Sequence, residues 1–417
     1  MVTDTFPDDR TPIPTTRAPV PAPTPARRYD LDWRRVFAFG MLIFYHVGMF
    51  YVTWDWHVKS RYMSDVIEPA MVMVNPWRLA LLFFISGVAI RFATDKTTLR
   101  KFLPERLVRL FVPLAFGMAV VCMPQAYAEL RFKGEIAPGF FAFYPDYLTF
   151  GDFSIIVPTW NHLWYVAYML AYTLIAAALL PGLRRVAAGT GGRFFAWLEA
   201  GRAWRLLLVP ALPFVAYRLT LDPYFPTTHT LWGDWANIAH TLTIFLLGFV
   251  AAKNASFWNA VAKALPSALA MSLALGGTLL VLRLNFYNVF LADESARMAV
   301  GVLRVAYAWA IIVSLLGLAQ AFANRGGRVL TYLTGAIFPY YILHQTIIVV
   351  VGYWFTLHVA PTTVEAPVVI AATVIGCVLG YEVIRRIPLI RPLFGLPMRD
   401  RANKAVPLLP GLRRVEA

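Results

Sequence analysis

Two ionisable residues in the first apolar segment of the chain are its strongest candidates for chemistry. Arg35 precedes His46 by eleven residues, and at about 100° per residue this spacing makes roughly three helical turns, so both side chains lie on one helix face. The spacing also separates them by about 16 Å along the axis, which places Arg35 near one membrane surface and His46 near mid-bilayer. Because ionisable groups are costly at that depth and mark functional sites, the pair predicts an anion-binding end and a proton-handling centre.

A second basic pair stands at the start of the third apolar segment. Arg106 and Arg109 are three residues apart, so both guanidinium groups project from nearly one helix face. Planar guanidinium groups bind phosphates through two hydrogen bonds at once. The pair therefore predicts a binding site for a phosphorylated cytoplasmic donor. The alternative is that both residues contact lipid headgroups and only orient the helix.

Three further residues are candidates for contacting an acceptor or stabilising an oxyanion. His162 and Trp164 open the fourth apolar segment, and His344 lies deep in the ninth, beside Gln345. The alternative interpretations are that Trp164 belongs to the aromatic belt at a membrane interface and that His344 and Gln345 only bridge helices.

The composition identifies the class of protein that holds these residues. The chain has 417 residues, of which 59% are hydrophobic and only 15% charged, and its mean hydropathy is +0.59. Soluble proteins carry about 25% charged residues, so the chain is predicted to be an all-α, polytopic membrane protein. Its net charge of +15 comes from basic residues in short loops, a pattern typical of cytoplasmic loops facing acidic headgroups. We therefore expect membrane lipid, and no nucleic acid, as a partner.

Ten transmembrane helices are predicted, with both termini cytoplasmic. The loops predicted to be cytoplasmic hold 14 Lys and Arg residues and those on the other side hold 4, as the positive-inside rule requires. One membrane domain over residues 31–387 is expected between a disordered cytoplasmic tail (1–30) and a basic cytoplasmic tail (388–417). The predicted spans are 35–54, 77–94, 107–127, 161–181, 204–220, 236–252, 265–284, 298–320, 332–355 and 365–385.

Several familiar catalytic patterns are absent from the sequence. It has no phosphate-binding GxxxxGK[ST], no HExxH and no GxSxG, and its two cysteines lie in apolar contexts without metal-ligand spacing. We expect no metal and no bound cofactor. Catalysis is therefore expected to depend on intramembrane side chains that are scattered along the chain. Arg218, Arg283 and Arg304, in or at the ends of spans, need polar partners that the sequence does not identify.

These motifs together resemble the acyltransferase 3 family of integral membrane acyltransferases, most of all its glucan biosynthesis protein C-like members. The resemblance covers residues 29–350 and follows the family's order. Its motifs are the Arg35/His46 pair, the segment FFISGVAIRF (Phe83 to Phe92), the Arg106/Arg109 pair, HLWY (His162 to Tyr165) and YYILHQ (Tyr340 to Gln345).

The resemblance implies that residues 31–387 form a membrane acyltransferase domain in the inner membrane of a bacterium. It implies transfer of a short acyl group, acetyl or succinyl, from cytoplasmic acyl-CoA to a hydroxyl of a carbohydrate, glycan or glycolipid. It also implies that Arg35 and His46 are essential and that Arg106 and Arg109 face the CoA end. A His46 general base fits this chemistry, because imidazole titrates near neutral pH. The rival hypothesis is a polytopic transporter or exporter with an intramembrane histidine relay.

Overall fold

The computed structural model describes residues 28–398, which contain helices and no strand. The predicted N-terminal tail lies outside this range except for its last three residues, and the C-terminal tail is described only as far as residue 398. The α-helices are α1 (Tyr29–Tyr51), α2 (Glu68–Lys96), α3 (Leu99–Phe116), α4 (Met123–Lys133), α5 (Phe140–Leu148), α6 (Trp164–Ala178), α7 (Leu180–Ala188), α8 (Thr190–Ala200), α9 (Ala203–Leu208), α10 (Leu212–Thr220), α11 (Trp235–Ala251), α12 (Ala255–Asn285), α13 (Tyr287–Ala292), α14 (Glu294–Phe322), α15 (Arg328–Leu357) and α16 (Thr362–Arg386).

Six helical segments of the described range are long and apolar enough to cross a membrane. They are α2, α3 with α4, α12, α14, α15 and α16, and a pair bent by 75° (Asn161–Ala178 with Leu180–Ala200) makes a seventh if it counts as one span. The predicted spans at 35–54, 204–220 and 236–252 correspond to α1, α9 with α10, and α11, which are more polar or shorter. The fold is therefore helical and multi-pass, while the number ten and the side of each terminus stay predictions.

Two glycines allow α2 and α11, the most extensively paired helices, to touch through their backbones. A Cβ atom on Gly87 would overlap the carbonyl oxygen of Phe245, and one on Gly248 would overlap that of Phe84. Small residues at such crossings let apolar helices approach closely in a membrane. This contact fixes α2, which carries cavity residues, against the rest of the bundle.

We expect Gly248→Ala to lower the thermal unfolding midpoint of the detergent-purified protein. The added methyl group meets backbone atoms, which cannot move aside as a side chain can, and overpacking of this kind costs about 1–3 kcal/mol. Gly277→Ala in α12 is the matched control, because a Cβ there meets nothing within 4 Å. Equal midpoints for the two variants would contradict the close contact.

The third predicted span is one helix interrupted by a π-turn over Gly117–Val121. Such turns disturb the regular backbone hydrogen bonds of a helix and occur often at functional sites. Side-chain hydroxyls bond three carbonyls of this segment: Tyr147 donates to Met118 at 2.6 Å, Tyr144 to Ala119 at 3.0 Å and Thr346 to Val121 at 2.7 Å. The turn therefore ties α3 and α4 to α5 and α15.

An ion pair fastens the loop after α1 to the bundle. Arg283 of α12 donates to the buried carboxylate of Glu68 at 2.6 Å, and the backbone N–H of Thr53 donates to the same carboxylate at 3.0 Å. This contact identifies the partner of one of the three arginines that the sequence left unassigned.

The described chain continues past the predicted domain end at residue 387. A short 3₁₀-helix, Arg391–Phe394, packs on α3, where the ring of Phe394 meets that of Phe116 edge-on at 5.4 Å.

Candidate functional site

A cavity of about 1030 Å³ opens among the loops predicted to lie on the outer side of the membrane. His46, His162 and Trp164, three of the residues singled out from sequence, line it together with parts of the segments 54–57, 155–161 and 227–230. Ligand sites commonly occupy about 300–1,000 Å³, so the space suits a substrate larger than a single small metabolite.

His46 and His344 form a hydrogen-bonded pair between α1 and α15, with His46 Nδ1 2.7 Å from His344 Nε2. His344 is fully buried, and its Nδ1 lies 2.7 Å from the carbonyl oxygen of Tyr341, which can only accept. The proton of a neutral His344 is thus on Nδ1, and its Nε2 accepts from His46 Nδ1.

The consequence of this chain of bonds is an unprotonated Nε2 on His46. A neutral imidazole carries one proton, and that proton is committed to His344. Because His46 lines the cavity and His344 does not, the pair presents one lone pair towards the space where a substrate would lie. This is the arrangement of a general base held in one tautomer by a second group.

His162 lies beside this pair, its ring edge-on to that of His344 at 5.1 Å. Its Nε2 donates to the carbonyl oxygen of Ile342 at 3.1 Å, and its buried Nδ1 has no partner among residues 28–398. A free Nδ1 in this tautomer accepts hydrogen bonds, so it suits contact with a hydroxyl group better than stabilisation of an oxyanion.

Trp164 stacks on His229 at 4.1 Å and forms part of the cavity wall.

Arg78 is a cavity residue whose place the sequence did not indicate. It lies at the start of the second predicted span (77–94), at the end predicted to face the outer side. Its side chain is buried, covers the ring of Tyr45 at 3.5 Å and donates to Asn75 Oδ1 at 2.5 Å. It lies within electrostatic range of His46. Its signal in the sequence was a charge at the edge of an apolar segment, which membrane anchoring explains equally well.

A polar network centred on His57 forms another part of the cavity wall and was also missed. His57 Nδ1 donates to Glu129 at 2.5 Å, and its Nε2 accepts from the amide of Gln345 at 2.9 Å. The same amide also contacts Gln125 at 3.1 Å. Because both nitrogens of His57 are engaged, it is a wall residue here and not a second free base.

Arg35 and Arg106 line a separate cavity of about 90 Å³ towards the predicted inner end. With Arg109 they form a cluster whose members interact electrostatically, and none has an ion-pair partner within 4 Å among residues 28–398. The neighbouring Arg34 differs, since it is buried and paired with Asp30 at 2.8 Å. Asp32 and Glu105 lie within electrostatic range of Arg35 and Arg106 and compensate the cluster in part, so it remains a positive site suited to a polyanion.

Tyr165 of α6 lines both cavities and separates them. Its hydroxyl group lies 2.6 Å from Ser86 Oγ, and its ring packs on Phe83 and Phe39. The histidine site and the arginine cluster are thus two chambers with one shared wall residue.

Among the described residues 28–398, no group of three or more His, Cys, Asp or Glu side chains is placed to hold a metal ion. Cys122 and Cys377 are free and buried, in keeping with the apolar contexts in which the sequence places them.

The chain is similar to known proteins over most of its length. A family model described as an acyltransferase domain, that of the acyltransferase 3 family, matches residues 28–382. The chain belongs to this family. It is similar to glucans biosynthesis protein C of Escherichia coli K12, with 24% identity over 400 residues that cover 92% of this chain and 99% of the relative. The protein of the same name from E. coli O81 is 23% identical with the same coverage. No solved structure matches the chain.

Family membership confirms the resemblance found from the sequence and makes this chain a membrane acyltransferase. The matched region contains every site residue discussed above, from Asp30 to Gln345.

Proposed function

We propose that this acyltransferase moves a short acyl group, acetyl or succinyl, from acyl-CoA to a hydroxyl group of a carbohydrate, glycan or glycolipid. The observation that carries the proposal is the free Nε2 of His46, held by His344 and directed to a cavity large enough for a sugar chain.

The reaction needs a general base for the acceptor hydroxyl group and a positive group that stabilises the oxyanion of the tetrahedral intermediate. His46 Nε2 takes the proton of the acceptor hydroxyl group as its oxygen attacks the thioester carbonyl carbon. The tetrahedral intermediate then collapses, the carbon–sulfur bond breaks, and the imidazolium returns the proton to the departing CoA thiolate. Arg78 supplies positive charge near the developing oxyanion, where a fixed charge out of water is most effective.

The donor is assigned to the arginine cluster. Arg35, Arg106 and Arg109 would bind the phosphates of CoA, and the pantetheine arm would pass Tyr165 to bring the thioester to His46. A cavity of about 90 Å³ is too small for that arm, so donor binding requires Tyr165 to move from Ser86. No cofactor takes part beyond the acyl-CoA substrate.

The acceptor is assigned to the main cavity. Trp160 and Trp164 offer aromatic faces, and Thr159, Asn161 and Thr228 offer hydroxyl and amide groups, a mixture suited to sugar rings. The positive-inside pattern favours a cytoplasmic arginine cluster in a bacterial inner membrane, with the acceptor cavity on the far side. This arrangement lets a cytoplasmic donor serve an outer acceptor without either crossing the bilayer.

The test is transfer by the purified full-length protein in lipid nanodiscs. Radiolabelled acetyl-CoA and succinyl-CoA are each supplied with glucan oligosaccharides, and we expect label on the carbohydrate that mild alkali releases, as O-esters require. Label on lipid alone would indicate a different acyltransferase reaction. Uptake into vesicles without covalent label would favour the transporter hypothesis.

We expect Arg106→Ala to weaken the affinity for CoA by about tenfold to a hundredfold, the effect of losing one charge-assisted hydrogen bond. Arg100→Ala is the matched control, since Arg100 lies exposed on the same helix. Calorimetric titration with CoA at two salt concentrations measures both. If Arg106→Ala binds CoA as Arg100→Ala does, the cluster only anchors the helix.

A further inference from the structure

A third cavity of about 330 Å³ lies among α2, α10, α11 and α14 and belongs to neither chamber of the catalytic site. Arg218, Asp222, His240 and Arg304 line it together with apolar side chains such as Phe214 and Ile312. It is a neighbour of the main cavity, because Leu79 and Thr227 line both spaces.

The polar groups of this cavity are organised around one carboxylate. Asp222 Oδ2 accepts from Arg218 at 3.1 Å, and Asp222 Oδ1 accepts from His240 Nε2 at 3.1 Å. Burial acts to raise the pKa of the Asp222 carboxyl, but the hydrogen bonds from His240 and Arg218 and the charge of Arg218 outweigh it and hold the pKa below its ordinary value. Asp222 is therefore ionised and compensates one arginine.

The second arginine has no such compensation. Arg304 makes no ion pair within 4 Å with any carboxylate of residues 28–398, although it is half-buried and interacts electrostatically with Arg218. In addition, the buried Nε of Arg218 has no hydrogen-bond partner in the described range. The cavity thus keeps one positive charge and one donor unsatisfied, which is costly in an apolar environment.

The backbone of α14 is shaped to this arrangement. A Cβ atom on Gly301 would overlap Arg218 Nε, so only glycine at this position lets the guanidinium group lie against the helix. The position of Arg218 thus depends on close packing of α10 against α14.

We propose that this cavity binds the phosphate group of an anionic ligand, with Arg304 and Arg218 as its two donors. The apolar walls favour a phospholipid, whose headgroup phosphate would meet the arginines while its chains pack on α10 and α14. Neither Arg304 nor Arg218 lines the chamber of His46 or that of Arg35, so this binding does not use the residues assigned to acyl transfer.

The experiment measures lipid binding, so its result does not depend on the proposed reaction. The detergent-purified full-length protein is titrated with dioleoylphosphatidylglycerol or dioleoylphosphatidylcholine, and bound lipid is counted by native mass spectrometry. We expect the wild type to prefer phosphatidylglycerol and Arg304→Gln to lose about tenfold or more in affinity for it. Arg297→Gln, an exposed arginine of the same helix, should bind as the wild type does.

Two further measurements distinguish a phospholipid headgroup from free phosphate as the bound group. They also control for misfolding of the Arg304→Gln variant. If inorganic phosphate raises the unfolding midpoint of the wild type but not of Arg304→Gln, while phosphatidylglycerol has no effect, the site is supported and its occupant is free phosphate. Ala308→Leu fills the cavity and leaves both arginines in place, so it should also lose phosphatidylglycerol. Equal lipid affinity in wild type, Arg304→Gln and Ala308→Leu, with no effect of phosphate, would overturn the proposal.

Discussion

Replacing His46 with alanine is expected to reduce acyl transfer by about 10² to 10⁴-fold, the contribution of one positioned general base, while the protein still inserts and accumulates. The loss should appear in kcat, because the base acts on the acceptor proton and not on the phosphates of the donor. Affinity for CoA should stay near the wild-type value. Initial rates of label transfer in nanodiscs, with CoA binding measured in parallel, check both expectations.

The matched control for this variant is His358→Ala. His358 is exposed and stacks on Trp354 at 4.3 Å at the end of α15, away from the cavity lining. The His358→Ala variant should transfer the acyl group at the wild-type rate. Near-normal turnover in His46→Ala would remove this histidine from the mechanism, whatever the fate of the other residues.

The second large effect is expected at His344, which we assign as a positioning residue. His344→Leu keeps an apolar side chain in the core but removes the acceptor for His46 Nδ1–H and the donor to the Tyr341 carbonyl group. Because the general base loses the hydrogen bond that holds it in one tautomer, we expect kcat to fall about tenfold to a hundredfold. His46 is then free to move its proton to Nε2, which abolishes the lone pair that faces the cavity.

A pH–rate profile distinguishes this role from simple support of the core. The acidic limb of the profile reports the protonation of the base, so it should change in His344→Leu. His344→Gln, whose amide oxygen can accept from His46, should restore part of the rate. Ile348→Val, at a fully buried position on the same helix, should lose some stability and keep the wild-type profile. A wild-type profile in His344→Leu would leave His344 as a packing residue only.

The sequence predicted the helical class and supplied candidate site residues for physical reasons that do not need three dimensions. Long apolar segments with few charges have to be helices in a bilayer, since every backbone group must be bonded internally. His46 and His344 stood out because a titratable group inside such a segment is costly. The same reasoning located Arg35 and Arg106, which the structure places around one small cavity.

Other features depend on which helices lie side by side, and the sequence carried little trace of them. His57 stands in a loop, where a histidine is unremarkable, and becomes part of the cavity wall only through Glu129 and Gln345. Arg78 stands at the end of an apolar segment, where a charged residue is equally expected as a membrane anchor. The cavity formed around Arg304 requires α2, α10, α11 and α14 to meet.

The sequence by itself thus determined that this protein folds in a lipid bilayer. It also determined the family to which the protein belongs and the side chains that carry charge into the membrane. Only the tertiary structure decided the tautomer of His46, because that depends on the 2.7 Å contact between residues 298 positions apart. It also decided that Arg34 is committed to Asp30 while Arg35 faces a cavity. The physical reason is that spacing along a helix fixes which face a residue occupies, whereas its hydrogen-bond partners come from helices far away in the chain.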